Sequence, residues 1–465
     1  MINTFSTLPF LPGLWRGAAE APALYDSPTG WIDFSGLAQT VLEAKNALSS
    51  PQKNLVFWLA EARNDSVAGY LSALQAGHTV AVLDPKQRQL AELIATYQPH
   101  CIIAPDIAVP AGYRQTAWPI TGTGLWRRDQ PSATALHPDL CLLLLTSGTT
   151  GGGKFVRLSY CNVASNTAAI IASLRLTGAE RALLHLPLPY SFGLSVLHTQ
   201  LAVGGSTVLT SLGMMERGFW ETARQTEVSL FPGVPYHYQM LARLGLDRLQ
   251  TPTLSTFLQA GGRLDPALVR SLAAFCRQQS GRFFVMYGQT EASPRLSCFD
   301  AVEWPDKIGS VGPALTGGHF SIEDDEVIYE GTNVMLGYAT QAADLALGDT
   351  QHGRLATGDL GSLDTDGFLT LSGRKQRFAK LYGVRIALDV IEQMVNQVAP
   401  AAVLEGKDHI VIITAAHAEQ QLAMTAVLQA QTSLAPGWLR FQVVTELPYH
   451  GNGKLDYSAL RELAT

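Results

Sequence analysis

The segment Thr146-Ser147-Gly148-Thr149-Thr150-Gly151-Gly152-Gly153-Lys154 concentrates more potential chemistry than any other stretch of the chain, with four hydroxyl residues and four glycines in eight positions before the lysine. Glycines let backbone N–H groups approach phosphate oxygens, hydroxyls add donors, and an ammonium group balances charge, so this composition suits a polyphosphate. As a plain surface turn it would be costly to order, because glycine loses more conformational freedom than any other residue. Gly148 to Lys154 also matches the P-loop spacing G-x-x-x-x-G-K. Two features oppose that reading. The hydroxyl that a P-loop gives to magnesium would fall at Phe155, and residues 155–159 (FVRLS) alternate as a strand where a helix N-terminus is needed. The loop is therefore expected to join two strands.

Short apolar runs alternate with helix-length amphipathic segments over the first two thirds of the chain, which predicts an α/β fold with largely parallel sheets. Thr79 to Leu83 is expected as a buried strand, Asp84-Pro85 as a helix start, Gln87 to Tyr97 as a helix and Cys101 to Ala104 as the next strand. Further strands are expected at Leu140 to Leu145, Leu183 to Leu186, Ser206 to Leu209 and Arg282 to Met286. From about residue 296 short strands and Gly/Asp turns predict a β-barrel-like region, with residues 364–367 (DTDG) as a hairpin turn. After Gly373 the pattern reads strand, helix (Leu388 to Val398), two strands and a last helix (Tyr457 to Leu463). The 465 residues exceed the roughly 250 to 300 that one core sustains. The division expected is 1–373, a large domain of parallel-sheet αβ subdomains plus the β-barrel-like region, and 374–465, a small α+β domain.

Composition narrows the function classes. Hydrophobic residues make up 47% and charged residues 15%, the latter below the typical share of about 25%, so extended disorder is not expected. A net charge of -6 with scattered Lys and Arg leaves no basic stripe for nucleic acid. The five cysteines are odd in number and form no C-x-x-C pair, so free thiols in a reducing compartment are expected. No run reaches the roughly 18 apolar residues of a spanning helix, which points to the cytoplasm and away from a membrane. Histidines 185, 198, 237, 352 and 450 show no metal-ligand spacing.

Thr146 to Lys154 resembles the first signature of the adenylate-forming superfamily, which contains acyl- and aryl-CoA synthetases, luciferases and the adenylation domains of peptide synthetases. Further signatures follow in the family's order over nearly the whole chain. The resemblance places Thr146, Ser147, Gly148, Thr149, Thr150 and Lys154 on the phosphates of ATP. Residues 187–194 (PLPYSFGL) resemble the segment that gates the carboxylate pocket, which assigns Tyr190 and Phe192 to that pocket. Residues 259–263 (QAGGR) resemble the turn packed on adenine, with Gly261, Gly262 and Arg263. Residues 287–291 (YGQTE) are similar to the motif whose aromatic, here Tyr287, stacks on adenine; Gly288 lies beside it and Gln289 faces the substrate. In the same motif Thr290 would bind the α-phosphate and Glu291 would hold Mg²⁺. Residues 355–359 (LATGD) resemble the motif whose carboxylate, Asp359, binds both ribose hydroxyls. Residues 373–376 (GRKQ) resemble the interdomain hinge, with Arg374 on the nucleotide, and 448–454 (PYHGNGK) the loop carrying the adenylation lysine, Lys454. Arg374 to Glu392 resembles the thiolation face, where Lys380 and Gly383 enter the site and the glycine leaves room for a phosphopantetheine arm. Tyr236 and Tyr238 follow residues 232–235 (PGVP) and resemble the helix along the acyl pocket, with ordinary core packing an equal alternative.

What the resemblance implies is a two-step ligase. ATP, Mg²⁺ and a carboxylic acid give an acyl-adenylate and pyrophosphate; the thiol of CoA or of a phosphopantetheinyl carrier protein then takes the acyl group, with residues 374–465 as a mobile lid. The residue types suit the chemistry. A carboxylate attacking the α-phosphorus meets charge repulsion, which Lys154, Lys454 and a metal at Glu291 would offset, and Asp359 at a strand end can accept from two vicinal hydroxyls. The chain departs from the family pattern at Gly153, where a proline often stands, and at Gln376, where the hinge is commonly acidic. Residues 190–192 lack the aspartate that receives an α-ammonium group, so an amino acid substrate is disfavoured, and gating by Tyr190 and Phe192 tilts the expectation toward an aromatic or short acyl acid. Transfer to an amine, or an adenylate-binding regulator without chemistry, are the alternatives; joint retention of Lys154, Glu291, Asp359, Arg374 and Lys454 opposes the second.

Overall fold

Continuous apolar runs make stable strands only where both sheet faces are covered, and Leu55–Leu59 (LVFWL) and Thr79–Leu83 (TVAVL) are buried at every position in a parallel ladder. The computed structural model describes residues 8–87, 89–105, 110–130, 132, 134–146, 154–245, 251–375, 377–381, 384–432, 434, 436–449 and 455–464. Two compact units emerge: Met1–His319 with Tyr329–Leu355, and Phe320–Ile328 with Ala356–Thr465.

The first unit holds two eight-stranded sheets. One runs in the order Gly337–Ala339, Lys154–Ser159, Leu140–Thr146, Thr79–Leu83, Leu55–Leu59, Cys101–Ala104, Gly124–Arg128, Tyr113–Thr116. The other runs Arg295–Asp300, Arg282–Gly288, Thr256–Gln259, Leu230–Gly233, Arg181–Leu184, Ser206–Leu209, Pro22–Asp26, Gly30–Asp33. Their central pairings are parallel, with antiparallel strands at the edges. The helix Ser191–Val203 is buried along its whole length, and its Leu194, Leu197 and Leu201 share one core with Leu142 and Leu144 of the first sheet and Leu184 and Leu258 of the second. Helix starts follow their caps. Ser159 caps Tyr160–Leu174 in a reciprocal pair with Asn162, and Asp265 accepts from Ala267 N and Leu268 N ahead of Pro266–Gln278.

The expected β-barrel-like region, most of it in the second unit, is an open four-stranded sheet, Gly318–Glu323, Glu326–Gly331, Arg354–Leu363 and Leu369–Arg374, and not a closed barrel. The expected hairpin turn is present: Gly367 has φ +80°, and Asp364 Oδ1 accepts from the N–H groups of Asp366 and Phe368, both at 2.9 Å. A two-stranded ribbon, a three-stranded sheet and the helices Leu388–Asn396, Ala418–Gln431 and Tyr457–Leu463 complete the unit.

Two helix ends differ from the sequence reading for identifiable reasons. The helix expected from Gln87 begins at Leu90, because Asp84 captures Lys86 N through Oδ1 at 2.7 Å and Gln87 N through its carbonyl at 2.9 Å, which closes a turn first. The helix expected to reach Val398 stops at Asn396, whose side-chain amide bonds Ala401 N and Ala401 O instead of letting the backbone ladder continue.

Candidate active site

The strands that flank the glycine-rich segment pair antiparallel, with Thr146 opposite Lys154 and Thr146 Oγ1 donating to Lys154 O at 3.3 Å. A strand therefore follows the lysine, as expected, and no P-loop helix does. Ser147, Gly148, Thr149 and Thr150 lie outside the described residues.

Lys154 Nζ sits 3.4 Å from the centroid of the Tyr338 ring, and the Tyr338 hydroxyl donates to Glu291 Oε1 at 2.8 Å. One ring thus holds an ammonium on its face and a carboxylate at its rim, a cation–π contact joined to a charge-assisted hydrogen bond. Burial, and then the charge of Glu291, push the Tyr338 phenol far above its usual range, so it stays a donor. Tyr338 arrives by pairing of Gly337–Ala339 with Lys154–Ser159, which sets Tyr338 opposite Val156. The sequence reading missed it. No local periodicity in residues 331–338 (GTNVMLGY) marks their pairing partner.

Glu291 stands in a single 3₁₀ turn, Thr290–Ala292, after the strand Arg282–Gly288. Side-chain amides from elsewhere fix this turn. Asn333 Nδ2 donates to Ala292 O and Arg295 O at 2.7 and 3.1 Å, and Asn166 both donates to Arg295 O and accepts from Arg295 N. Gly288 is required for the same turn, since a Cβ there would collide with the backbone carbonyl of Pro294. Gly288→Ala is expected to destabilise the protein by about 1–3 kcal/mol, the usual range for forced overpacking, and urea denaturation measures it. An unchanged midpoint would show that the turn can give way.

Several of the predicted residues of the first unit contact this turn or one another. Thr290 Oγ1 is 3.2 Å from Ser191 Oγ, at the first turn of the buried helix. Gln289 Nε2 donates to the hydroxyl of the buried Tyr287 at 3.3 Å. The rings of Tyr190 and Phe192 meet edge-on with centroids 6.2 Å apart. Gly261 has φ +85°, and a Cβ there would strike the Tyr190 hydroxyl, so glycine lets that ring close on the 259–263 turn. Gln259 Nε2 donates to Gly262 O at 2.8 Å and braces the same turn, while Arg263 is exposed. Burial pushes the Tyr190 phenol up to about 12 against the pull of Arg295. Tyr236 is 37% exposed, whereas Tyr238 is fully buried and donates to Phe231 O at 3.2 Å, which makes Tyr238 a core residue.

In the second unit, Asp359 and Arg374 face each other across an antiparallel pair, with Arg374 Nε 3.0 Å from Asp359 Oδ1. Glu326 braces the neighbouring backbone, accepting from Gly358 N at 3.0 Å and from Lys375 Nζ at 2.6 Å. Lys380 lies in the strand Phe378–Leu381, paired with Val384–Ala387. The Lys380 side chain, Gly383, Gln376 and Lys454 fall outside what is described. Tyr449 and Leu455, on either side of the Lys454 segment, form an isolated antiparallel bridge, and Asp456 N donates to Pro448 O at 2.9 Å.

Glu291 is the metal-binding candidate, and among the described residues no group of three or more His, Cys, Asp or Glu side chains could hold an ion. One carboxylate fits magnesium, which keeps waters and takes its other ligands from substrate phosphates, rather than a zinc or calcium cage.

A family model described as "AMP-binding enzyme" matches residues 15–339, and the chain belongs to that family, within the adenylate-forming superfamily. Feruloyl-CoA synthase from Amycolatopsis is 30% identical over 256 residues, 51% of this chain and 50% of that protein; the chain thus spans about half the length of this and several other curated relatives it matches. D-alanine–D-alanyl carrier protein ligase from Bacillus licheniformis is 27% identical over 453 residues, covering 85% of this chain and 86% of the relative. Among solved structures, o-succinylbenzoate CoA synthetase from Bacillus subtilis in complex with its acyl-adenylate intermediate superposes with a TM-score of 0.75 at 22% identity over 99% of this chain and 98% of that one. This likeness establishes the shared fold. Among the described residues no helix is long and apolar enough to cross a membrane.

Proposed function

We propose that the protein activates a carboxylic acid with ATP, forming an acyl-adenylate and pyrophosphate, and transfers the acyl group to the thiol of CoA or of a phosphopantetheinyl carrier protein. The observation that carries this reading is the row Lys154–Tyr338–Glu291 beside Thr290. A direct lysine–glutamate pair would neutralise both groups. With the ring between them, the ammonium stays available for phosphate oxygens and the carboxylate for a cation; no ion pair joins the two among the described residues. Adenylation brings two anions together, the acid and the α-phosphate, so pre-aimed positive charge and donors where charge develops lower its barrier. Lys154 supplies charge and Thr290 a hydroxyl donor. Glu291 would hold Mg²⁺, which when bound adds positive charge at the phosphates.

Tyr190 and Phe192 present an aromatic wall without an aspartate, which supports an aromatic or short acyl acid. The names of the relatives, a CoA synthase and a carrier protein ligase, support a thiol acceptor. Residues 374–465 are, in this proposal, the mobile lid, with Lys380 and Lys454 serving different half-reactions. The free cysteines and the dispersed charge support a cytoplasmic protein without a nucleic-acid or membrane partner. Trapping with hydroxylamine tests the first step: acid plus ATP should yield the hydroxamate and AMP, and formation of ADP instead would reject adenylation.

Asp359→Ala is expected to raise KM for ATP roughly 10-fold, the order of one lost hydrogen bond to a charged group, with a smaller change in kcat. Ribose contacts are alike in ground and transition states, so their loss appears in binding. Steady-state kinetics over an ATP series reads this, and an unaltered KM would remove Asp359 from the ribose.

A further inference from the structure

Arg295 opens the strand Arg295–Asp300, four positions after Glu291, and it is only 3% exposed. Its backbone N–H and C=O are already bonded by Asn166 and Asn333, so the position of the turn does not depend on its side chain. That side chain is an anomaly. Its Nε is buried without a hydrogen-bond partner, and among the described residues no carboxylate pairs with the guanidinium. The groups against it are the Phe192 ring, whose centroid lies 4.7 Å from Cζ, the Tyr190 phenol and the Cys298 thiol. Burial pushes the phenol up to about 12 and the thiol up to about 11, so both are neutral near pH 7. Burial also lowers the guanidinium, to about 10, which still leaves it charged at that pH. A buried cation without an anion is disfavoured, and an apolar side chain of similar volume would stabilise such a site better. The residue therefore makes sense only if something else brings the acceptor.

On the reading that Tyr190 and Phe192 wall the acyl pocket, we propose that Arg295 determines specificity there by receiving an oxygen acceptor on the substrate acid, remote from the reacting carboxylate. A second carboxylate and a ring or chain hydroxyl share this chemistry. The preferred substrates are then acids with such a group, and the unsubstituted parents are rejected because they leave the guanidinium unpaired in the closed pocket.

The test uses the full chain and acid-dependent pyrophosphate exchange with matched acids: benzoate, 4-hydroxybenzoate and terephthalate, then butyrate, 4-hydroxybutyrate and succinate. Wild type should favour at least one acceptor-bearing acid over its parent by at least about 10²-fold in kcat/KM, and by up to about 10⁴- to 10⁵-fold where the pocket rejects the parent as fully as a site built to hydrogen-bond the missing group. Which member wins separates carboxylate from hydroxyl. Arg295→Met should bring the ratio near unity, and Arg295→Lys should keep part of it. The free Arg295→Met protein should melt at the wild-type temperature or higher, since it loses an unpaired buried charge, whereas a structural arginine would make it melt lower. Equal loss on every acid, or wild-type exchange indifferent to the acceptor, would overturn the assignment while leaving acid activation intact. Exchange with no acid at all would overturn the activation reading and this inference together.

Discussion

Replacing Lys454 by alanine is expected to slow acid-dependent pyrophosphate exchange by about 10²- to 10³-fold, the effect of losing one donor aimed at a developing oxyanion. Thiol transfer from supplied acyl-AMP should survive. Lys380→Ala should do the reverse, sparing exchange and slowing thioester formation. The two lysines are 74 residues apart in the sequence. Lys380 lies within a paired strand, and Tyr449 and Leu455, which flank 450–454 in the sequence, form an antiparallel bridge. Both half-reactions should be assayed on both variants. Equal damage to the two steps by either substitution would reject the division of labour and recast the lysines as supports of one fixed site.

Glu291→Gln should lower kcat/KM for adenylation by about 10²-fold at millimolar Mg²⁺, because a clamp on the transferring phosphoryl group loses its anionic ligand. Glutamine keeps the shape, and its amide oxygen can still accept from the Tyr338 hydroxyl that now bonds Oε1 at 2.8 Å. Folding should be nearly unaffected, which separates metal binding from support of the turn. Excess Mg²⁺ should restore activity only in part, since an amide binds this hard cation less well than a carboxylate. A Mg²⁺ titration on wild type and variant decides the matter: superimposable curves would exclude Glu291 as a ligand.

Much of this architecture is legible in the amino-acid sequence. Thr79–Leu83, Cys101–Ala104 and Ser206–Leu209 are strands with the expected bounds because strands covered on both faces read as unbroken apolar runs. Phe155, where a P-loop needs a hydroxyl, correctly turns the reading of Lys154 from a helix to a strand. Closure of a sheet is harder to read. Short strands and turns after residue 296 are equally compatible with a barrel and with the open sheet observed, since edge pairing leaves no local pattern. The site shows the same limit. Glu291 and Lys154 stand in motifs, but the side chain that relates them, Tyr338, reaches Lys154 through a ladder spanning some 180 residues. Arg295 begins a strand whose six residues are all buried, and a charged residue there contradicts the burial rule that sequence reading relies on. Such violations are where function tends to reside.

Exchange of labelled pyrophosphate into ATP, run with and without each member of a broad carboxylic acid panel, decides whether the chain is an acid-activating enzyme. Label should enter ATP only when a cognate acid and Mg²⁺ are both present, without any thiol, and AMP should accumulate once CoA or a phosphopantetheinyl carrier with a free thiol is added. Exchange in the absence of acid, or none with any acid while ATP still binds, would contradict acyl-adenylate formation and leave an adenylate-binding protein in its place.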